Sequence, residues 1–169
     1  LLDLLNKEIG ESVVYAPAHH VSPQLEFAFT HTPSYGETYF SFVNGQYTSD
    51  GGTHQGAFRE GLFKGVNEFF KRNYNAIDVR ESINGAVAVK LKEPIFESQT
   101  KNKLGNTEVR SWIVSETRSA VVDFLHKNTT AAKKLQEKIN HNERLRKELN
   151  AVKKEAKEAA RKVAIKIPH

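Results

Sequence analysis

From Thr130 to Ala164 the chain runs without a glycine or a proline, and its apolar residues recur at helical intervals. Leu135, Ile139, Leu145, Leu149, Val152, Ala156, Ala159 and Val163 step mostly by three and four, with a gap that Asn142 fills. Such a run predicts a single helix of roughly 35 residues, about 50 Å long at ~1.5 Å per residue. A compact body built from the rest, roughly 130 residues, has a radius of gyration of only about 14 Å. The rod must therefore project beyond the body or pack against something else. Its stripe is narrow and turns to alanine towards the end, as in a seam against one partner helix.

The rod also carries the charge. Between Ala131 and His169 stand 12 Lys/Arg and 5 Asp/Glu, whereas the remainder is slightly acidic although the whole chain is +5. A basic segment points to nucleic acid or an acidic surface, and a solvated helix face is the plainer alternative. There is no cysteine, which excludes disulfides, thiolate metal sites and a cysteine nucleophile. Methionine is absent even from position 1, so a piece of a longer polypeptide is expected. No apolar run approaches the ~20 residues of a membrane span and no signal-peptide pattern opens the chain. The expectation is a soluble, cytoplasmic protein with no membrane partner.

Ahead of the rod, "LLDLLNKEIG" predicts the last turns of a helix stopped by Gly10. "YAPAHHVSP" reads as a prolyl connector. In "QLEFAFTH" Leu25, Phe27 and Phe29 alternate with Glu26, Ala28 and Thr30, the pattern of a half-buried strand. "TYFSFV" follows with Phe40 and Phe42 on one face, and the two segments read as a β-hairpin. Gly51 and Gly52 allow a tight bend, Thr53 is placed to cap a helix, and Phe58, Leu62, Val66 and Phe69 define its buried stripe. "DVRES" puts Glu81 three residues after Asp78, a capping-box pattern for a short helix. "NGAVAVKLKEPIF" is another strand. Val109, Ile113, Thr117, Ala120, Phe124 and Leu125 mark a helix ending near Asn128, with Trp112 as a core anchor.

Chemistry is concentrated in "FESQTKNKLGNTEVRSW", residues 96–112. Lys101 and Lys103 share a loop with Gln99 and Gly105, and Asn106 or Thr107 is placed to cap the next helix. Ammonium groups and helix-terminal N–H groups both favour phosphate, and plain solvated lysines are the alternative. No GxxxxGK[ST] string occurs, so a phosphate-binding role requires a site built elsewhere. His19 and His20 are adjacent and diverge on any regular element, and no HxxxH or HExxH pattern occurs, so no metal site is expected. Arg59, Lys64, Lys71 and Arg72 occupy polar positions of the first long helix, as a solvated face or as nucleic-acid contacts.

The strings "SFVNGQYTSDGGTHQGAFREGL" and "VRESINGAVAVKLKEPIFESQTKNKLGNTEVRS" closely resemble the transducer domain of the ATPase (B) subunit of bacterial type IIA DNA topoisomerases. GGTH at 51–54, QTK at 99–101 and KLGN at 103–106 are together specific, and the resemblance runs over most of residues 1 to 165. It implies an α+β fold: a mixed β-sheet packed on helices with a left-handed βαβ crossover, ribosomal protein S5 domain 2-like, followed by a long projecting C-terminal helix. The implied division is a transducer body over 1–129 and a basic helix over 130–169.

In that family a GHKL-type ATPase domain precedes this segment and a TOPRIM domain follows it. The resemblance implies ATP with Mg²⁺, bound mainly by the GHKL domain, and a further Mg²⁺ in the TOPRIM domain. Gln99 and Lys101 are then the residues that reach the γ-phosphate, with Lys101 in the catalytic role, and Arg59 lines the cavity through which DNA passes. The implied partners are DNA, the topoisomerase A subunit in a heterotetramer of two A and two B subunits, and a second B subunit upon ATP binding. The wording "NGQYTSDGGTH" and the absence of an Ala-Arg-rich tail string place the chain nearer the topoisomerase IV branch than the gyrase branch. The isolated segment is expected to be inactive. A stand-alone nucleic-acid-binding module, or a coiled-coil adaptor that uses the basic helix, is the rival reading.

Overall fold

The structure, a computed structural model, describes residues 1–10, 12–96 and 103–166, with side chains to residue 161. Helix α1 (Leu2–Ile9) buries Leu5 and ends at Gly10, whose N–H makes the last helical bond to the Asn6 carbonyl and whose positive φ of 69° turns the chain out of the helix.

The predicted connector is instead a strand. β1 (Ala18–Val21) pairs antiparallel with β2 (Leu25–His31), from Ala18 opposite Phe29 to Val21 opposite Glu26. Pro17 and Pro23 bracket the strand rather than break it, as prolines do at a sheet edge where no ladder N–H is needed.

A hairpin between residues 25–31 and 38–43 does not form. β5 (Ile83–Val89) lies between these two segments, antiparallel to β2 and parallel to β3 (Thr38–Val43). The hairpin partner of β3 is β4 (Gln46–Tyr47), reached through Asn44 and Gly45, whose φ angles of 51° and 82° are those of a two-residue hairpin turn. The five-stranded mixed sheet has the order β1-β2-β5-β3-β4. Sheet-central β2 buries Ala28 and Thr30 as well as Phe27 and Phe29, so both of its faces are covered, and α1 is among the elements packed against it.

Parallel β3 and β5 require a crossover. Helices α2 (Thr53–Phe70) and α3 (Ala76–Arg80) supply it. The expected stripe Phe58, Leu62 and Val66 is fully buried, with Phe69 partly so. Two predicted caps fall elsewhere. α2 is capped at Gly52, with Thr53 already inside the helix, and α3 is capped by the Asn75 side chain, which accepts from the Ile77 N–H at 3.0 Å. Asp78 is thereby left within α3, and Glu81 closes its C-terminus.

After a short 3-10 turn (Thr107–Val109), α4 (Arg110–Lys127) packs along α2. Gly61 and Gly65 permit that approach, since a Cβ on Gly61 would meet Thr117 Cβ and the Val114 carbonyl at 2.7 Å. Trp112 is partly buried against the core.

α5 (Thr129–Lys166) begins directly after α4 and realises both alternatives for the rod. Ala132, Leu135, Ile139 and Asn142 are buried on the body. Beyond Arg146, Leu149 and Val152 are 52% and 62% exposed, and the helix surface is open to residue 161.

Candidate functional site

Two of the three strings that carry the resemblance are hydrogen-bonded to each other. Leu104 bridges to Gly52 in parallel and to Phe96 in antiparallel fashion. Its N–H donates to the Gly51 carbonyl at 3.1 Å, and its carbonyl accepts from the Thr53 N–H at 3.0 Å. The start of α2, carrying GGTH, is thus joined to KLGN at the base of the 96–104 loop. Gly52 allows the contact. Its φ of 123° suits glycine alone, and a Cβ there would run into the backbone nitrogen and carbonyl oxygen of Leu104.

A second tie closes the loop's base. Asn106 is 3% exposed and stands at the N-cap position of the following turn, as expected, but its side chain makes no capping bond there. Its Oδ1 accepts from the Ile95 N–H, and its Nδ2 donates to the Glu93 carbonyl at 3.1 Å and to Glu108 Oε1 at 2.6 Å. The Gly105 N–H reaches the Ile95 carbonyl at 2.6 Å. The chain on either side of residues 97–102 is therefore held together, and on the Leu104 side it is held to the start of α2 as well. The QTK residues Gln99 and Lys101 lie outside the described residues.

Behind this junction sits a buried polar network. Thr48 Oγ1 donates to the Ser41 carbonyl at 2.8 Å, so the 3.2 Å contact to His54 Nε2 places the imidazole proton on Nε2. His54 is fully buried, and loss of hydration pushes its pKa down to about 4. It is a neutral structural residue at neutral pH. The adjacent pair earlier in the chain also behaves as polar scaffolding: His19 meets Glu26 at 2.8 Å, and His20 meets Glu116 at 2.9 Å.

Arg59 stands on α2 facing the turn before β3. It is not a free cation. Its Nε and Nη2 donate to Glu37 at 3.3 and 3.4 Å, and its guanidinium lies 5.5 Å from the centre of the Tyr39 ring. Tyr39 donates its hydroxyl proton to the same carboxylate at 2.5 Å. Arg80 Nε lies 3.5 Å from Glu37 Oε1, close enough for attraction but with no hydrogen bond made. Burial opposes the charge on Arg59, yet Glu37 and Tyr39 hold its pKa above the usual guanidinium value. Of these four residues only Arg59 is singled out by the sequence. Glu37, Tyr39 and Arg80 meet it through the parallel β3–β5 pairing, which no local pattern signals.

At the C-terminal end of α3, next to Arg80, α5 docks through polar contacts. Asn142 Nδ2 donates to the carbonyls of Asp78 and Glu81 at 3.0 and 3.2 Å. Arg146 grips the Asp78 carboxylate. Among the described residues, no three His, Asp or Glu side chains converge as a metal site would require, and no helix is long and apolar enough to cross a membrane.

Comparison with known proteins fits this geometry. The family model "DNA gyrase B" matches residues 1–158. The B subunit of DNA topoisomerase 4 from Borreliella burgdorferi is 53% identical over 169 residues, which cover 99% of this chain and 28% of that protein. The B subunit of DNA gyrase from Clostridium acetobutylicum is 38% identical over 118 residues, 64% of this chain and 18% of that one. Among solved structures, the 43K ATPase domain of Thermus thermophilus gyrase B in complex with an aminocoumarin aligns with a TM-score of 0.71 at 25% identity, covering 98% of this chain and 46% of that one. The topoisomerase IV ATP-binding domain of Francisella tularensis shares the fold, with a TM-score of 0.72 at 22% identity over 86% of this chain and 43% of that one. The chain thus spans a minor part of the length of these relatives.

Proposed function

Because the chain belongs to the DNA gyrase B family, we propose that it is the transducer segment of the B subunit of an ATP-dependent type II DNA topoisomerase. In this reading residues 1–129 form the transducer body, its β3–α2–α3–β5 crossover is left-handed as in the ribosomal protein S5 domain 2-like fold, and 130–169 leads towards a TOPRIM domain. A GHKL domain ahead of the chain holds ATP and Mg²⁺, and Gln99 and Lys101 complete that site. The topoisomerase IV branch is favoured by the 53% identity to the B subunit of a topoisomerase 4. The partners are then DNA, a topoisomerase A subunit in the heterotetramer of two A and two B subunits, and a second B subunit when ATP binds. The location is the cytoplasm.

The observation that carries this reading is the double tie at the base of the 96–104 loop. A residue on a loop pinned at both ends, and pinned also to α2, reports its position to the body. ATP supplies the terminal phosphoryl group and its negative charge. Lys101 would hold that charge with its ammonium and Gln99 with its amide. In this reading Lys101 would be the catalytic residue of this segment, since it would touch the reacting group. The segment alone hydrolyses nothing.

The magnitudes suffice. A hydrogen bond to a charged group is worth about 1.5–3 kcal/mol, so two give roughly 3–6 kcal/mol. Driving a two-state element from one side to the other takes about 5.5 kcal/mol of differential binding. Lys101→Ala in the full-length subunit is expected to abolish most ATP turnover while the domain stays folded. ATPase rates equal to the parent's would refute the assignment.

A further inference from the structure

We propose that Arg59 and Arg80 together form a binding site for a nucleic-acid phosphodiester, and that Glu37 occupies it as an internal stand-in for the phosphate. The proposal rests on the reading that Arg59 faces DNA, and adds to it a second cationic contact and a competing anion.

The donors outnumber their acceptor. Two guanidiniums converge on one carboxylate, leaving the cluster with an excess positive charge. The contacts are long: Arg59 reaches Glu37 at 3.3 and 3.4 Å, beyond the ~2.7–2.9 Å of a strong charge-assisted bond. The Arg80 Nε is buried and makes no hydrogen bond. Part of the carboxylate's capacity is already taken by the Tyr39 hydroxyl at 2.5 Å. One carboxylate therefore does not saturate these donors. A phosphodiester brings two free oxygens and suits the planar fork of a guanidinium.

The cluster is also accessible and shaped. Arg59 and Glu37 are 34% and 31% exposed and Arg80 is 21% exposed. Tyr39 supports the Arg59 guanidinium from below at 5.5 Å, which limits the freedom lost when an anion binds. Glu37 follows Gly36 in the turn before β3. That turn is fastened independently: the Gly36 N–H donates to Glu81 Oε1 at 2.6 Å, and the Gly36 carbonyl accepts from the Ser82 N–H at 2.9 Å. Glu81, the other carboxylate at this corner, is thus engaged by backbone, and Glu37 can swing aside without unfastening the turn.

The two halves of the cluster have opposite expected signs, which separates a ligand site from a structural ion pair. The test is the duplex DNA concentration that half-saturates ATPase stimulation of the full-length subunit, measured across a salt series. Glu37→Gln keeps the shape and removes the competitor, so DNA should bind roughly threefold to tenfold more tightly. Arg80→Gln should weaken binding by a similar factor and lower the slope of log affinity against log salt by about one. Arg80→Lys should restore part of the slope. Melting temperatures of each variant check folding, and if Arg80→Gln fails to fold, the sign of the Glu37→Gln effect decides. Unchanged or weaker DNA binding in Glu37→Gln overturns the proposal. If Arg59→Gln weakens binding and neither of the other two variants responds, this inference alone fails. If Arg59→Gln is also silent, the DNA-facing reading of α2 fails with it.

Discussion

Arg146 of α5 forks onto the buried carboxylate of Asp78 in α3, with its Nε 2.8 Å from one oxygen and its Nη2 3.0 Å from the other. Asp78 is 2% exposed, so this guanidinium is the counter-charge that lets a carboxylate sit inside the domain. The pair stands one helical turn beyond Asn142, where the helix leaves the body.

Asn142 looks like a defect in an apolar stripe, and replacing it is expected to expose the opposite. Asn142→Leu would complete the stripe but strip the donors from two carbonyls at the end of α3. Leaving such buried acceptors unsatisfied costs about 1–3 kcal/mol, more than the apolar gain at a site already filled. A lower melting temperature for the variant, by circular dichroism, is the expected result, and a higher one would contradict the capping role.

Gly52→Ala should be among the most damaging single-methyl changes. The backbone region at φ 123° costs a side chain roughly 1–3 kcal/mol, and the new Cβ would press into the Leu104 backbone. Urea unfolding is expected to show a loss at least that large. Any variant molecules that fold should do so with the loop base displaced, and the full-length subunit should lose ATP turnover out of proportion to its stability.

Gly61→Ala sets two effects against each other. Alanine favours a helix over glycine by about 1 kcal/mol. The added methyl would meet Thr117 and the Val114 carbonyl at 2.7 Å, and forcing α2 from α4 costs about 1–3 kcal/mol. Packing should win, giving a net loss in chemical denaturation; a stabilised variant would mean the helices part freely.

Acid should weaken the fold before the carboxylates titrate. His31 accepts from the Tyr15 hydroxyl at 2.6 Å and donates Nε2–H to the Val79 carbonyl at 2.8 Å. Burial pushes both His31 and His54 down to about pKa 4, below the ~6.5 of an unfolded chain. The unfolded state therefore takes up protons first as pH falls. Stability from this source is complete above about pH 6.5 and is lost towards pH 4. Denaturation midpoints at pH 7 and pH 5 should differ clearly, and His54→Gln should shrink the difference.

How much of the structure is legible in the sequence follows how local its cause is. The stripes of α2 and α4 and the strands β2 and β5 come from periodicity, and the structure places Phe58, Leu62, Ile113 and Thr117 where that periodicity predicts. The expected hairpin of β2 with β3 fails because β5, more than forty residues along the chain, takes the place between them. The true turn signal, Asn44-Gly45, stands at the other end of β3. Residue type suits Thr53 and Asn106 to capping, yet Thr53 lies inside α2 and the polar atoms of Asn106 are used across the loop. Arg59 is visible as a basic helix position, while its partners Glu37 and Arg80 come from separate elements that only the folded sheet brings together.

α5 is one unbroken helix across the point where it leaves its bed, so nothing between Arg146 and its far end absorbs a change of angle. Some twenty residues at ~1.5 Å each make a boom of about 30 Å. A tilt of only about 10° where Asn142 and Arg146 seat it would sweep the tip through roughly 5 Å, an amplification built from rigidity alone.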